Sequence, residues 1–203
     1  NFESGSFARI GTGSLGGKAR GLAFMNHIID RYGIRERFEN MDIGVPPTAV
    51  VATDVFDAFL DQNDLRRKVI AADNDQEVID ACLAAKLPSE IYDDLEFFLD
   101  EVRYPLAVRS SSLLEDAQCQ PFAGVYNTYM LANNHEDVKV RLDQLCDAIK
   151  LVYVSTFLQS AKAYLKATAN RVEAEKMAVI IQQVVGRRHD HYVYPDFAGV
   201  AHS

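Results

Sequence analysis

The sequence predicts a domain of mixed helices and strands, α/β or α+β, on three observations. Apolar residues recur at helical spacing in several stretches. Short, dense runs of β-branched residues lie between them, the clearest from Met177 to Val185. Breaks containing Gly or Pro separate the two kinds of segment. At 203 residues the chain suits one large domain or two small ones and can bury a sizeable core.

Asn1 to Gly17 is rich in Gly and Ser and reads as a loop. Lys18 to Tyr32 reads as a helix, with Leu22, Ala23, Met25, Ile28 and Ile29 at helical spacing. Val45-Pro46-Pro47 breaks the pattern. Thr48 to Ala52 is predicted as a short strand, and Thr53 is placed to cap a helix carrying Val55, Phe56, Phe59 and Leu60. A helix over Asp75 to Ala85 follows. Leu87-Pro88-Ser89-Glu90 starts another, which carries Ile91, Leu95, Phe98, Leu99 and Val102.

Leu106-Ala107-Val108 reads as a buried strand ending at Arg109, and Ser110 to Pro121 as a polar loop. Val125 to Leu131 is predicted as a strand, and Asn134 to about Ala169 as helical with a break near Ser155. After the Met177–Val185 strand come a hydrophilic turn, Gly186 to Tyr194, and a strand from Phe197 to Ala201.

Composition narrows the function. The chain is 48% hydrophobic and 25% charged, ordinary for a globular protein. A net charge of −8 argues against broad nucleic-acid binding, which needs a dense basic surface. No apolar run reaches the roughly 18 residues of a membrane span. Cys82, Cys119 and Cys146 are few and widely spaced without a CxxC pair, so a reducing cytoplasm is the expected compartment. The chain starts at Asn1 without a signal peptide, and we expect a piece of a longer protein.

Two segments invite a phosphate-binding reading. In Gly11-Thr12-Gly13-Ser14-Leu15-Gly16-Gly17-Lys18, glycines permit close backbone approach to an anion, and a helix N-terminus offers unpaired N–H groups. A P-loop fails because Thr12 and Ala19 stand where Gly and Ser or Thr are needed. A dinucleotide fingerprint matches Gly11, Gly13 and Gly16, but requires a central strand before it. A capped loop with a solvated lysine is the plain alternative. The second segment is Val108-Arg109-Ser110-Ser111-Ser112-Leu113-Leu114-Glu115-Asp116. A guanidinium at a strand end suits phosphate oxygens, with serine hydroxyls as added donors; pairing of Arg109 with Glu115 or Asp116 is the alternative.

Leu15-Gly16-Gly17-Lys18, Val108-Arg109-Ser110-Ser111-Ser112-x-x-Glu115-Asp116 and Phe122-Ala123-Gly124-x-x-x-Thr128-Tyr129 together resemble the ATP-binding domain of phosphoenolpyruvate synthases and pyruvate phosphate dikinases. Val45-Pro46-Pro47, Ile181-Gln182-Gln183-Val184-Val185 and Phe197-Ala198-Gly199-Val200-Ala201 continue the resemblance in order along nearly the whole chain. It implies an α+β, ATP-grasp-like fold over residues 1–203, truncated before the C-terminal metal-binding part. By this resemblance Lys18 and Arg109 are the catalytic, phosphate-binding cations. Gly124 lies in the phosphate loop and Thr128 is the polar residue after it. Gln182 lies near adenine and ribose, and the backbone at Val184 contacts the adenine edge.

In the family, ATP gives its β-phosphoryl group to a histidine on a swivelling domain, and the group then passes to pyruvate. The expected ligands are thus ATP and Mg2+, and the expected partners are the histidine domain and the pyruvate/phosphoenolpyruvate domain of the parent chain. Metal ligands are expected outside these residues, and none of His27, His135, His189, His191 and His202 matches the phosphorylated motif. The piece alone is expected to fold but not to transfer phosphate. A nucleotide-sensing or interaction module with the same fold is the other class of function considered, and a dinucleotide-dependent oxidoreductase the third.

Overall fold

The computed structural model describes residues 5–112, 124–167 and 175–200. A five-stranded sheet is built from β1 (Phe7–Ile10), β2 (Thr48–Val51), β3 (Leu106–Ser112), β4 (Thr128–Leu131) and β5 (Met177–Gln183), in the order β1-β2-β5-β3-β4. β1 and β2 run parallel, and the other neighbours are antiparallel. Seven helices among the described residues surround it: α1 (Gly16–Arg31), α2 (Thr53–Gln62), α3 (Leu65–Ala71), α4 (Asp75–Ala84), α5 (Tyr92–Glu101), α6 (Val138–Ser155) and α7 (Gln159–Ala167). This is the mixed α+β architecture expected. No helix of the described residues is long and apolar enough to cross a membrane.

Side-chain alternation divides the sheet into two unlike faces. Ile10, Ala49, Val51, Val179, Ile181, Leu106 and Val108 enter the main core with residues of α2 to α7. The opposite face carries Val50, Ala178 and Ile180, which pack with Ala19 of α1 and with Phe7, Leu15 and Leu22. Strand partners point to the same side, so register extends this second face across the sheet. Gln182 stands opposite Ala107 and Thr48, Arg109 opposite Ile180 and Thr128, and Ser111 opposite Ala178. Exposure grows toward the β4 edge, where Met130 is 68% exposed.

α6 and α7 hold the helical layer by a repeated device. A helix leaves its last carbonyls unpaired and its C-terminus partly negative. Arg141 donates to the carbonyls of Leu99 and Val102 at the end of α5, at 2.8 and 3.2 Å. Lys150 reaches Leu83 of α4 at 3.2 Å. Lys162 reaches Val69 and Ala72 at the end of α3, at 2.8 and 2.7 Å. The three cations are buried and each closes a different helix end.

Several sequence expectations need correction. Phe7–Ile10 is a strand rather than loop: β2 supplies a parallel partner that a four-residue polar-flanked run does not reveal. β3 continues through Ser110–Ser112, because Val179, Ala178 and Met177 of β5 pair with those serines. The rest of the expected loop, residues 113–121, lies outside the described residues, as does Cys119. β4 begins at Thr128 rather than Val125, since pairing with β3 starts there. Thr53 is not the helix cap: Ala52 is, and the Thr53 hydroxyl accepts from the Ser14 N–H. The expected turn at 186–194 is a hairpin of β6 (Arg187–His189) and β7 (Tyr192–Tyr194). Residues 197–200 form no strand. Phe197 is 93% and Val200 82% exposed, with no neighbouring strand to pair with among the described residues.

Candidate functional site

The glycine-rich segment is an anchor for α1. Asp54, in the first turn of α2, accepts from the Thr12 N–H at 2.8 Å, the Thr12 hydroxyl at 2.9 Å and the Gly13 N–H at 2.9 Å. The amides that a dinucleotide loop would turn toward a pyrophosphate therefore hold a carboxylate of the chain itself. β1 is moreover an edge strand, paired with β2 alone among the described strands. Both observations overturn the dinucleotide reading.

Burial alone would raise the Asp54 carboxyl, but the Thr12 and Gly13 N–H donors and the Thr12 hydroxyl hold it below its ordinary value of 3.8. Such a group favours folding above its unfolded pKa, and that contribution disappears as pH falls through the still lower folded value. Asp54→Asn should therefore destabilise the chain at pH 7 and flatten the stability loss as pH falls below the ordinary carboxyl value of 3.8. Urea unfolding of both proteins at several pH values measures this; superimposable pH dependences would refute it.

From that anchor the chain enters α1. Gly16 takes φ +72°, and a Cβ there would lie 1.8 Å from the Ser111 carbonyl oxygen of β3. Only a glycine permits so close an approach of helix to strand. Ser111, fully buried, accepts from the Ala19 N–H at 3.0 Å and donates to the Leu15 carbonyl at 2.8 Å. Lys18, half-buried, brings its ammonium to 3.4 Å from the Ser110 hydroxyl. The next residue along β3 is Arg109. Its Nε is enclosed and has no hydrogen-bond partner among the described residues. An unsatisfied buried donor is costly, and an incoming acceptor would relieve it.

Thr128 is exposed at the start of β4 and is the direct strand partner of Arg109. Gly124 lies in the turn before β4 at φ +78°, with open space around it. Gln182 shares the Arg109 face, and its Nε2 donates to the Thr48 hydroxyl at 2.9 Å. Val184 follows β5, and its N–H is committed to the Pro105 carbonyl at 2.9 Å. Beside it lies a cavity of about 560 Å³ between the sheet end and the β6–β7 hairpin, walled by Tyr104, Met130, Val184, Arg188, His191 and Tyr192 among others. The six predicted residues are thus spread along the sheet. Arg109 and Thr128 pair across β3 and β4 with Gly124 in the turn before β4, Lys18 of α1 reaches Ser110, Gln182 stands opposite Ala107, and Val184 borders the cavity at the other end of the same strands.

The sequence reading counted Ser111 among the phosphate donors, whereas its hydroxyl is committed to Ala19 and Leu15, and it gave Asp54 and Thr48 no contact role. A run of serines reads as a turn because serine bonds local backbone readily, and only pairing with β5 makes it strand. The acidic residue after a helix start reads as a dipole partner rather than a loop anchor. Cys82 and Cys146 are buried, which pushes their thiols up to about 11 and about 12 and leaves them unreactive. Among the described residues, no three His, Cys, Asp or Glu side chains group to hold a metal.

Comparison with known proteins agrees with the resemblance. One similar protein is the uncharacterized phosphotransferase YvkC of Bacillus subtilis (strain 168), 24% identical over 144 residues. That match takes in 70% of this chain and 16% of the relative's length, so the chain corresponds to a small part of it. The family model of the pyruvate phosphate dikinase AMP/ATP-binding domain matches residues 12–203. Because that match runs over residues 12–203, nearly the whole chain, the chain belongs to the pyruvate phosphate dikinase AMP/ATP-binding domain family.

Proposed function

We propose that this chain is the ATP-binding portion of a phosphotransferase resembling phosphoenolpyruvate synthase or pyruvate phosphate dikinase. In this reading ATP lies along the second face of the sheet. Its adenine enters the cavity beside Val184, and its phosphates reach Arg109 and Lys18. The observation that carries the reading is Arg109 on that face, whose enclosed Nε has no partner among the described residues, with the Lys18 ammonium approaching the next residue of β3, Ser110.

The dimensions support it. The cavity volume of about 560 Å³ lies in the usual range of small-ligand sites. From Pro105 at the cavity to Arg109 is four residues of strand, roughly 13 Å at about 3.3 Å per residue, which leaves room for ribose and phosphates. Met130 and Tyr192 offer apolar and aromatic surface to a base. Gly124 and Thr128 flank the phosphate end, and Gln182 stands between the two ends.

Phosphoryl transfer depends chiefly on positioning and on neutralising charge on the phosphate oxygens. Lys18 provides a compact ammonium and Arg109 a planar fork. Together they hold the phosphate chain and stabilise charge that develops as the β-phosphoryl group leaves for the histidine of another domain, with pyruvate the final acceptor. Magnesium would add neutralisation when bound, and this reading takes its ligands from other parts of a longer protein.

Arg109→Ala should weaken ATP binding by about 1.5–3 kcal/mol, the worth of a charge-assisted contact, while leaving adenosine binding and the melting temperature nearly unchanged. Calorimetric titration with both ligands tests this. Equal ATP affinity in a normally melting variant would remove Arg109 from the site.

A further inference from the structure

We propose that Ser111 is a positioning residue for phosphate binding, one that fixes Lys18 relative to Arg109 by pinning the first turn of α1 to β3. The inference rests on the reading of Lys18 and Arg109 as phosphate ligands.

α1 begins without a side-chain cap, because its N-cap residue is Leu15. The first turn of a helix would pair the Leu15 carbonyl with the Ala19 N–H. Ser111 bonds to both: its hydroxyl donates to Leu15 at 2.8 Å and accepts from Ala19 at 3.0 Å. A residue 92 positions away from Ala19 thus supplies the polar contact that a local cap normally provides. Lys18 lies within the bridged turn. Gly16 lets that turn press onto the Ser111 carbonyl, so the helix meets the strand through backbone on one side and a buried hydroxyl on the other.

Three consecutive residues of β3 therefore have linked tasks. Arg109 presents one cation, Ser110 meets the second, and Ser111 holds the helix bearing that second cation. β3 lies between β5 and β4, so its backbone is fixed from both sides up to Arg109 and by β5 beyond it. Loss of the Ser111 hydroxyl frees the α1 turn without touching Arg109 or the cavity beside Val184. Phosphate affinity then falls while nucleoside affinity does not, because small misplacements of a positioned group cost much of its effect.

The experiment measures ATP and adenosine affinities by titration calorimetry for the parent chain, Ser111→Ala, Lys18→Ala and the double variant. Ser111→Ala is expected to weaken ATP about tenfold and to change adenosine less than about twofold. The double variant should bind ATP no more weakly than Lys18→Ala, since a pin for an absent ammonium has nothing to hold. Ser111→Cys, close in size but a poor hydrogen-bonding group, should show the same selective loss and replaces the alanine variant if that fails to fold. Equal weakening of ATP and adenosine, or losses that multiply in the double variant, would reduce Ser111 to a structural residue. Unchanged ATP affinity in Ser111→Ala beside a loss in Lys18→Ala would overturn this inference alone. No loss in Lys18→Ala would overturn the phosphate assignment beneath it.

Discussion

Gly16→Ala is expected to destabilise the chain by about 2–5 kcal/mol and to remove most of its ATP affinity. Two costs add. The residue has φ +72°, where an L side chain is disfavoured by about 1–2 kcal/mol. Its new methyl would also lie 1.8 Å from the Ser111 carbonyl oxygen and 2.5 Å from the carbonyl carbon. Neither atom can swing aside, because β3 is paired with β5 at that point. Relief comes only if α1 lifts from the sheet, and Lys18 moves with it. Gly21, five residues on in the same helix, is the internal control: a Cβ there meets nothing within 4 Å. Gly21→Ala should leave ATP binding intact and raise stability by about 0.5–1 kcal/mol through helix propensity. Urea midpoints and ATP titrations of the two variants should diverge in opposite directions. A Gly16→Ala protein with parental midpoint and affinity would show that α1 does not seat on β3 as described.

Arg141→Ala should cost about 3–5 kcal/mol of stability without changing the face that bears Arg109. Arg141 is 1% exposed and among the largest side chains to be fully buried. Burial lowers its guanidinium from the ordinary value, and its hydrogen bonds go to neutral oxygens of Leu99, Val102 and Asn133. Removing it leaves two buried carbonyls without that donor and opens a cavity beside α5. Asn133, which also donates to Val102 and Tyr104, loses its neighbour at the passage from β4 to α6. Arg141→Met should cost less, because it keeps much of the volume while surrendering the donors. Equilibrium unfolding gives both numbers. A loss below about 1 kcal/mol in the alanine variant would mean that the cation contributes little beyond what water could replace.

Helices were the most legible part of the sequence. The predicted break near Ser155 falls where α6 ends, and the Asp75 start matches a helix capped by Asn74, whose side chain accepts from the Gln76 N–H. Such signals are local: spacing of apolar residues and a cap a few positions away contain the information. The short helix α3 passed unnoticed, because its Arg66, Arg67 and Lys68 hide the apolar pair Leu65 and Val69 that it buries. Strand ends were read less well. Serine favours turns and valine favours strands, yet Ser110–Ser112 are strand and Val125 is not, since the partner strand decides.

The order of the motifs around Lys18, Arg109, Gly124 and Gln182 carried the family resemblance, and the proposed phosphate roles of Lys18 and Arg109 came with it. What sequence order leaves open is which groups are already committed. Asp54 takes the glycine-loop amides, Pro105 takes the Val184 N–H, and Ser111 takes the turn that bears Lys18. These bonds span tens of residues, and no local pattern announces them. They exist because the strand register brings the two chain segments within 3 Å or so of one another, where a buried donor must find its acceptor.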